Sequence, residues 1–249
     1  MRPFWFLLIV FPSVVTAGSP GPLMARGDSA FQRIDYEAAR TFYEQAHEAA
    51  PEDTEVLWRL ARLEVCVGDM QRRDDRRPYY DRAERYARAS IAGDSTLAVG
   101  HTWLAAALGN LAMYGGSEEK VRLSREIKQE LDRALALDPR DDVAWSILGT
   151  FYRALGRISW IERQLAEIFL GGVPPGGDEE SEQALKTAIQ LAPSVIRHHF
   201  ELGRLYAEMG REEEAAEAFA RVLELPPMLG SDRWKQRRAA EWLEPSAAE

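Results

Sequence analysis

Residues 196–229 read IRHHFELGRLYAEMGREEEAAEAFARVLELPPML, and this stretch decides the fold. Strong helix formers dominate it, and no strand-like alternation interrupts them. Gly203 and Ala215 are small where two antiparallel helices would cross. Tyr206 and Phe219 are large and would fill the space beside that crossing. The stretch therefore predicts a helical hairpin.

The turn and the end of this hairpin are also marked. Gly210 can supply the left-handed residue that closes the first helix. Pro227 ends the second helix because it has no amide donor. Together with Leu202 and the aromatic positions, the spacing over 34 residues resembles the tetratricopeptide repeat, whose hairpins stack into a solenoid. The resemblance implies an all-α protein.

Other copies of the pattern are less regular. Trp145, Leu148-Gly149 and Tyr152 open the preceding unit, but its closing proline, Pro193, comes 54 residues after Pro139 rather than 34. We predict about five hairpins and a C-terminal capping helix in one domain over 18–249. The predicted hairpins are 22–51, 54–94, 97–139, 142–193 and 196–227, and the predicted capping helix is 231–243.

The fourth hairpin holds about twenty additional residues. They include Ile158, Ile161, Leu165 and Ile168, which recur at helical spacing, and then the Gly/Pro-rich segment 171–177. We expect the first helix of this hairpin to be prolonged, with Gly156 as the place for a kink, and to return through that segment.

Three blocks carry a more specific likeness, over about two-thirds of the chain. They are His101 to Gly109 with Gly115-Gly116 and Ile127-Lys128; Leu148 to Tyr152 with Ile158 to Arg163; and Phe169 to Gly172 with Pro174-Pro175. From about Tyr80 to Leu243 the chain resembles the regulator of microtubule dynamics family, which has a divergent tetratricopeptide domain. Some members are associated with microtubules, spindle poles or mitochondria, and one is implicated in lipid transfer at membrane contacts.

The resemblance also singles out six residues with a structural or a binding role: Trp160, Glu162, Arg163, Gly115, Gly116 and Lys128. We expect Trp160 to pack the prolonged helix against the neighbouring repeat. Glu162 or Arg163 should make a fixed polar contact, and a ligand role is the alternative.

The chain begins with a segment typical of protein export. Arg2 precedes the apolar run 4–15, and Val15-Thr16-Ala17 offers small residues for cleavage after Ala17. We predict a signal peptide over 1–17 and an exported, periplasmic or secreted, mature chain without a membrane span. The alternative is an uncleaved anchor. Export would separate the chain from cytosolic tubulin.

Composition and residue spacing do not favour catalysis or nucleic-acid binding. The net charge of -9 would repel a polyanion. His47, His101, His198 and His199 lack the spacing of metal ligands, and no glycine-rich loop links a strand to a helix. Cys66 lies in an apolar pattern typical of a buried thiol. We predict no enzyme activity, no cofactor and no metal site.

Binding is the function that a stack of hairpins favours, because its first helices line a concave face. Arg153, Arg197, Phe200 and Arg204 are predicted to project there, where the arginines could hold a carboxylate or a phosphate. The alternative is that these arginines are solvated or pair with neighbouring acids such as Glu201 and Glu208.

Two functions follow from these observations. The first is a non-catalytic scaffold that binds a protein or peptide in its concave groove. The second is a carrier of a lipid or another apolar ligand, in a cavity lined by the prolonged inner helices.

Overall fold

The structure is a computed structural model that describes residues 20–244. The predicted signal segment 1–17 lies outside the described residues. Within them the chain is helical, with no strand, and two short 3₁₀ turns precede α4 and α6. The α-helices are α1 Pro20–Gln32, α2 Tyr36–Ala49, α3 Thr54–Met70, α4 Arg77–Gly93, α5 Ala98–Leu111, α6 Ser117–Leu137, α7 Asp142–Gly156, α8 Trp160–Leu170, α9 Asp178–Leu191, α10 Ile196–Glu208, α11 Glu212–Glu224 and α12 Asp232–Leu243.

These helices form five hairpins and a final helix, so the predicted all-α solenoid is confirmed. The pairs are α1 with α2, α3 with α4, α5 with α6, α7 with α9 and α10 with α11, and α12 packs on α11 and α10. In the sequence, helix α8 comes between α7 and α9, the two helices of the fourth hairpin, which pack directly on each other. Within residues 20–244, no helix is both long and apolar enough to cross a membrane.

Close approach inside each hairpin explains its small residues. A Cβ atom on Gly203 would lie 2.8 Å from Cδ1 of Phe219. At Gly149 it would lie 2.5 Å from Cγ of Leu185. A larger residue at either place would push the two helices apart, so the expected pairing of a small residue with a large one is confirmed. Gly210 has φ +74°, the left-handed conformation predicted for the hairpin turn.

Three of the four turns between successive hairpins share one side-chain contact. Nε1 of Trp145 donates to the carbonyl oxygen of Pro139 at 3.0 Å. The histidines at the equivalent positions of α5 and α10 behave alike: Nε2 of His101 lies 3.1 Å from O of Ser95, and Nε2 of His199 lies 2.9 Å from O of Pro193. Each ring thus ties the start of a hairpin to the end of the preceding one.

The buried side chains form two adjoining clusters. The larger runs from α1 to α9 and the smaller is built from α9, α10, α11 and α12. Ala184 belongs to the first and Leu185 to the second, so α9 joins the two. One core therefore extends along the stack.

The two ends of the stack also touch. The amide nitrogen of Gly230, in the loop before α12, donates to Oη of Tyr36 at 3.0 Å. Gly230 also lies against Met70 at the end of α3, and Leu229 packs against the larger buried cluster. We call this set of interactions the closing contact. It brings the C-terminal segment onto the first two hairpins.

Candidate functional site

Helix α8 is a separate helix, so the expectation that α7 is prolonged through the insertion is wrong. Helix α7 ends at Gly156, and Ser159 begins a new helix through a capping box with Glu162. Oγ of Ser159 accepts from the amide of Glu162 at 3.3 Å, and the Glu162 carboxylate accepts from the amide of Ser159 at 2.8 Å. A capping box satisfies amides that would otherwise lack a partner at a helix start.

The inner side of α8 is fixed by one arginine and a small apolar contact. Nη2 of Arg163 donates to the carbonyl oxygens of Leu155 at 2.7 Å and Gly176 at 3.1 Å. Nη1 approaches the Pro174 carbonyl oxygen at 3.5 Å. Ala166 is the buried residue of α8. The arginine therefore links α8 to the end of α7 and to the Gly/Pro segment.

The outer side of α8 carries large apolar side chains in water. Their exposed fractions are at least half. They are Trp160 at 74%, Ile161 at 63%, Leu165 at 50%, Ile168 at 69% and Phe169 at 73%, and we call them the α8 surface. At 100° per residue, Ile161, Leu165 and Ile168 lie opposite the side that holds Arg163 and Ala166. The apolar side of the helix therefore points away from the protein.

This orientation corrects two expectations. Trp160 does not pack against the neighbouring repeat, since three-quarters of it is exposed. Ile158 does pack against the core, but the rest of its stripe faces solvent. The apolar stripe therefore does not line a cavity, which removes the reason for expecting an enclosed lipid site there. Of the two residues predicted to make a fixed polar contact, Arg163 joins α8 to the rest of the fold, and Glu162 contacts only Ser159 at the start of its own helix.

Acidic side chains border the α8 surface. Glu162 and Glu167 are exposed on its two sides. The Ser159 hydroxyl and amide donate to the carboxylate of Glu162 and lower its pKa. Nη1 of Arg125, from α6, donates to the Gly171 carbonyl oxygen at 3.2 Å, beyond the last turn of α8. The sides of the helix are thus acidic, and the Arg125 cation lies at its end.

The arginines of the predicted concave site are mostly paired within the chain. Arg153 is 8% exposed, and it donates to Glu208 at 2.6 Å and to Glu201 at 3.0 Å. Arg204 lies 3.4 Å from the same Glu201 carboxylate. Arg153 is therefore not available as a free cation, and the pairing with Glu201 and Glu208 that stood as the alternative is the arrangement found.

Phe200 and Arg197 differ from those two arginines. Phe200 is 4% exposed and lies under Trp234 of α12, with ring centroids 5.8 Å apart. It is thus covered by the C-terminal helix. Arg197 is half-buried, and among residues 20–244 its guanidinium forms no ion pair with a carboxylate. Of the four predicted concave residues, Arg197 alone keeps a charge without a partner in the described part of the chain.

The remaining family residues lie at the start and in the middle of α6. Gly116 caps α6, and Gly115 lines a polar cavity of about 180 Å³ together with Arg77 and Glu119. Lys128 donates to the Asp132 carboxylate at 2.7 and 2.8 Å. Burial lowers the pKa of Lys128, but the hydrogen bond to Asp132 outweighs it and leaves the pKa raised. Their placement indicates local structural roles, and a binding role for them stays a prediction.

The histidines do not assemble with other ligands. His198 is fully buried, with Nε2 2.8 Å from the carboxylate of Asp142. Burial lowers the pKa of His198, and the hydrogen bond to Asp142 offsets this only in part. Across the described residues, no three His, Cys, Asp or Glu side chains are grouped as a metal site would need.

Known proteins match the chain over most of its length. The profile described as regulator of microtubule dynamics protein 1-3 matches residues 23–247. Regulator of microtubule dynamics protein 1 of Bos taurus is 26% identical over 196 residues, which cover 77% of this chain and 62% of that protein. Regulator of microtubule dynamics protein 3 of Mus musculus is 21% identical over 248 residues, or 92% of this chain and 53% of that protein. The chain thus spans about 62% or less of these two relatives.

Among solved structures, a thermophilic TPR protein of Thermus thermophilus superposes with a TM-score of 0.67. It is 23% identical, and the match covers 90% of this chain and 99% of that one. At this identity the likeness shows the fold alone, which is a stack of tetratricopeptide hairpins. The profile that matches residues 23–247 shows that the chain belongs to the family described as regulator of microtubule dynamics protein 1-3.

Proposed function

We propose that this chain is a non-catalytic scaffold that binds a protein partner, and that the α8 surface makes the contact. The observation that carries the proposal is the exposure of five large apolar side chains on one short helix. Exposed apolar groups cost free energy in water, and monomeric proteins rarely gather them in one patch unless a partner covers it. The capping box and Arg163 hold the helix in place, so a partner would meet a preformed surface.

The concave face supports binding less well than α8. Arg153 and Arg204 share two carboxylates, and Phe200 lies under Trp234. A ligand there would have to break ion pairs or displace α12. Arg197 is the residue through which a concave site can still be tested.

The test uses three variants of the full chain. The first, Ile161→Gln with Ile168→Gln, makes the α8 surface polar without removing helix-forming residues. The second, Met113→Gln with Leu223→Gln, makes the same change at two other exposed apolar residues, 66% and 43% accessible. The third is Arg197→Gln. Proteins that co-purify with each variant from the native cells are quantified against the unchanged chain by mass spectrometry.

We expect the α8 variant to lose its partners and the other two variants to keep them, with circular dichroism unchanged in all three. Partners lost only with Arg197→Gln would place binding on the concave face instead. Partners retained by the α8 variant and by Arg197→Gln would contradict both locations.

Localisation forms a second part of the proposal. Export is supported by the apolar run 4–15 and the small residues Val15-Thr16-Ala17. The intact mass of the chain purified from its own cells tests this. We expect the mass of a chain that begins at Gly18. A chain that keeps Met1 and remains with the membranes would favour the anchored alternative.

A further inference from the structure

We propose that the partner of the α8 surface is an amphipathic helix whose apolar stripe is bordered by Lys or Arg. This inference rests on the proposed function, because it names the kind of protein segment that the α8 surface would bind. Two features of α8 support it: the spacing of its apolar residues and the sign of the charges beside them.

The apolar residues have the spacing of a helix that pairs with another helix. Ile161, Leu165 and Ile168 follow one another at i, i+4 and i+7, the interval at which one helix lays a seam of side chains along a second. Trp160 and Phe169 stand at the two ends of this seam. A helix of eleven residues is about 16 Å long, so the seam has the shape of a short rod. Such a rod fits a groove or a second helix better than a flat surface.

The charges beside the seam select a basic partner. Glu162 and Glu167 lie on opposite sides of it, and both are exposed. Arg163, the one cation of α8, is turned inward, where it donates to backbone carbonyl oxygens. The helix therefore presents an apolar seam with an acid on each side. Opposite charges across such an interface favour and orient the correct partner.

The same charges disfavour two other occupants. A second copy of the chain would bring its own Glu162 and Glu167 against these acids, and like charges at the flanks of paired helices repel. An anionic membrane surface would be repelled in the same way. A basic amphipathic helix is the partner that satisfies both the seam and its flanks.

The test uses synthetic peptides of about five helical turns with the full chain. One peptide has leucines at i, i+4 and i+7 with lysines beside them, and the other has glutamates in place of those lysines. Fluorescence anisotropy gives the affinity of each peptide at low and at high salt. We expect the glutamate peptide to bind about tenfold more weakly, and the preference to shrink as salt rises.

Two variants assign the effect to α8. Ile161→Gln with Ile168→Gln should abolish binding of the lysine peptide. Glu167→Lys should lower the affinity for the lysine peptide about threefold and raise the affinity for the glutamate peptide, because an attraction at one exposed pair becomes a repulsion and the reverse. Glu217→Lys is the matched control, since it changes the net charge by the same two units at an exposed position of α11. It should leave the affinities of both peptides unchanged, and an effect equal to that of Glu167→Lys would mean that net charge alone sets the preference.

Other outcomes overturn the inference, and only the membrane outcome would also overturn the proposed function, because the α8 surface would then have no protein partner. Equal, salt-independent affinity for the two peptides would mean that the surface selects apolar residues alone. Binding of phosphatidylcholine vesicles and not of peptides, lost in the α8 variant, would make the occupant a membrane. Concentration-dependent dimers that the α8 variant abolishes would make it a second copy. If neither peptide binds, the partner is not a basic helix, and the co-purification experiment still decides whether the α8 surface binds a protein.

Discussion

Glu64 is a charged residue in the interior of the N-terminal half, and three helices depend on it. Its side chain on α3 is 1% exposed. It pairs with Arg40 of α2 and accepts two hydrogen bonds from Arg82 of α4, at 2.7 and 3.0 Å. Burying a carboxylate is tolerated only when its hydrogen bonds are satisfied, so Glu64 fixes the register of these helices.

We predict that Glu64→Ala lowers the free energy of unfolding by about 3 kcal/mol, because it removes the buried carboxylate that pairs with two partly buried arginines and leaves a space behind. Urea unfolding followed by circular dichroism measures this as a lower midpoint. Glu217→Ala is the matched control, since Glu217 is exposed on α11, and its effect should stay below about 0.5 kcal/mol. Equal midpoints for the two variants would show that the buried pairs contribute nothing.

Glu182 links stability to pH in the C-terminal half. Burial raises the pKa of Glu182, but hydrogen bonds from Arg211, Lys186 and Tyr206 outweigh it and lower the pKa from 4.5 to about 2. A carboxyl group with a lower pKa in the folded state stabilises it above pH 4.5 and loses that contribution as pH falls towards 2. We predict that Glu182→Gln destabilises the chain at pH 7 and that the difference from the unchanged chain shrinks between pH 5 and pH 2. Urea midpoints at several pH values test this, and a difference that stays constant with pH would contradict it.

At the scale of the element, α8 shows how far local sequence signals extend. The hairpins could be predicted because small and large residues recur at fixed spacing and glycine and proline mark their ends. The apolar stripe of α8 could also be read from the sequence, but the sequence did not show whether the stripe faces the core or the solvent. Helical spacing is the same for a side that faces the core and a side that faces a partner. The signal that could have separated α8 from α7 was Ser159-x-x-Glu162, the pattern of a capping box.

Anchoring of α8 leads to a prediction about its local stability. Arg163→Ala removes the donors that bind the carbonyl oxygens of Leu155, Gly176 and Pro174. A helix of eleven residues is marginal without tertiary contacts, so we expect its amide protection to fall by about tenfold or more. Hydrogen exchange should show the loss over 160–170 and leave α7 and α9 unchanged. Gln164→Ala, at an exposed neighbouring position, is the control, and equal protection in both variants would mean that other contacts hold α8.

At the scale of the whole molecule, the closing contact could not be predicted from the sequence. A capping helix over 231–243 could be predicted from its aromatic and basic residues. The bond between Gly230 and Tyr36 joins residues 194 positions apart, and no local pattern marks such a pair. For the same reason the sequence offered Glu201 and Glu208 only as alternative partners of the concave arginines, and it did not show that Trp234, from another element, covers Phe200. The repeat pattern determines how neighbouring hairpins pack on each other. Which distant surfaces meet depends on the curvature of the whole stack of five hairpins.

Asp232 controls the closing contact, and its replacement should open the molecule without unfolding it. Oδ2 of Asp232 accepts from the amides of Met228 at 3.0 Å and Leu229 at 2.8 Å, and Oδ1 lies 3.3 Å from Nζ of the buried Lys235. Asp232→Ala would leave that ammonium group without its carboxylate, with only the Ser231 hydroxyl at 2.6 Å as an acceptor, and would free the loop that carries Gly230. Uncompensated buried charges are costly, so we expect the segment 228–243 to detach from the first two hairpins.

Cys66 reports this opening, since it lies on α3 one turn before Met70, against which Gly230 packs. Burial raises the pKa of Cys66 to about 11, so in the closed chain a thiol reagent at pH 8 should react only at the rate of global unfolding. In Asp232→Ala we predict faster labelling at an unchanged urea midpoint for the remaining helices, with faster hydrogen exchange over 228–243. Arg238→Ala, which removes an exposed ion pair with Glu241 on the same helix, should change neither rate. If Asp232→Ala labels no faster than this control, the ends of the stack are held together by apolar packing rather than by Asp232.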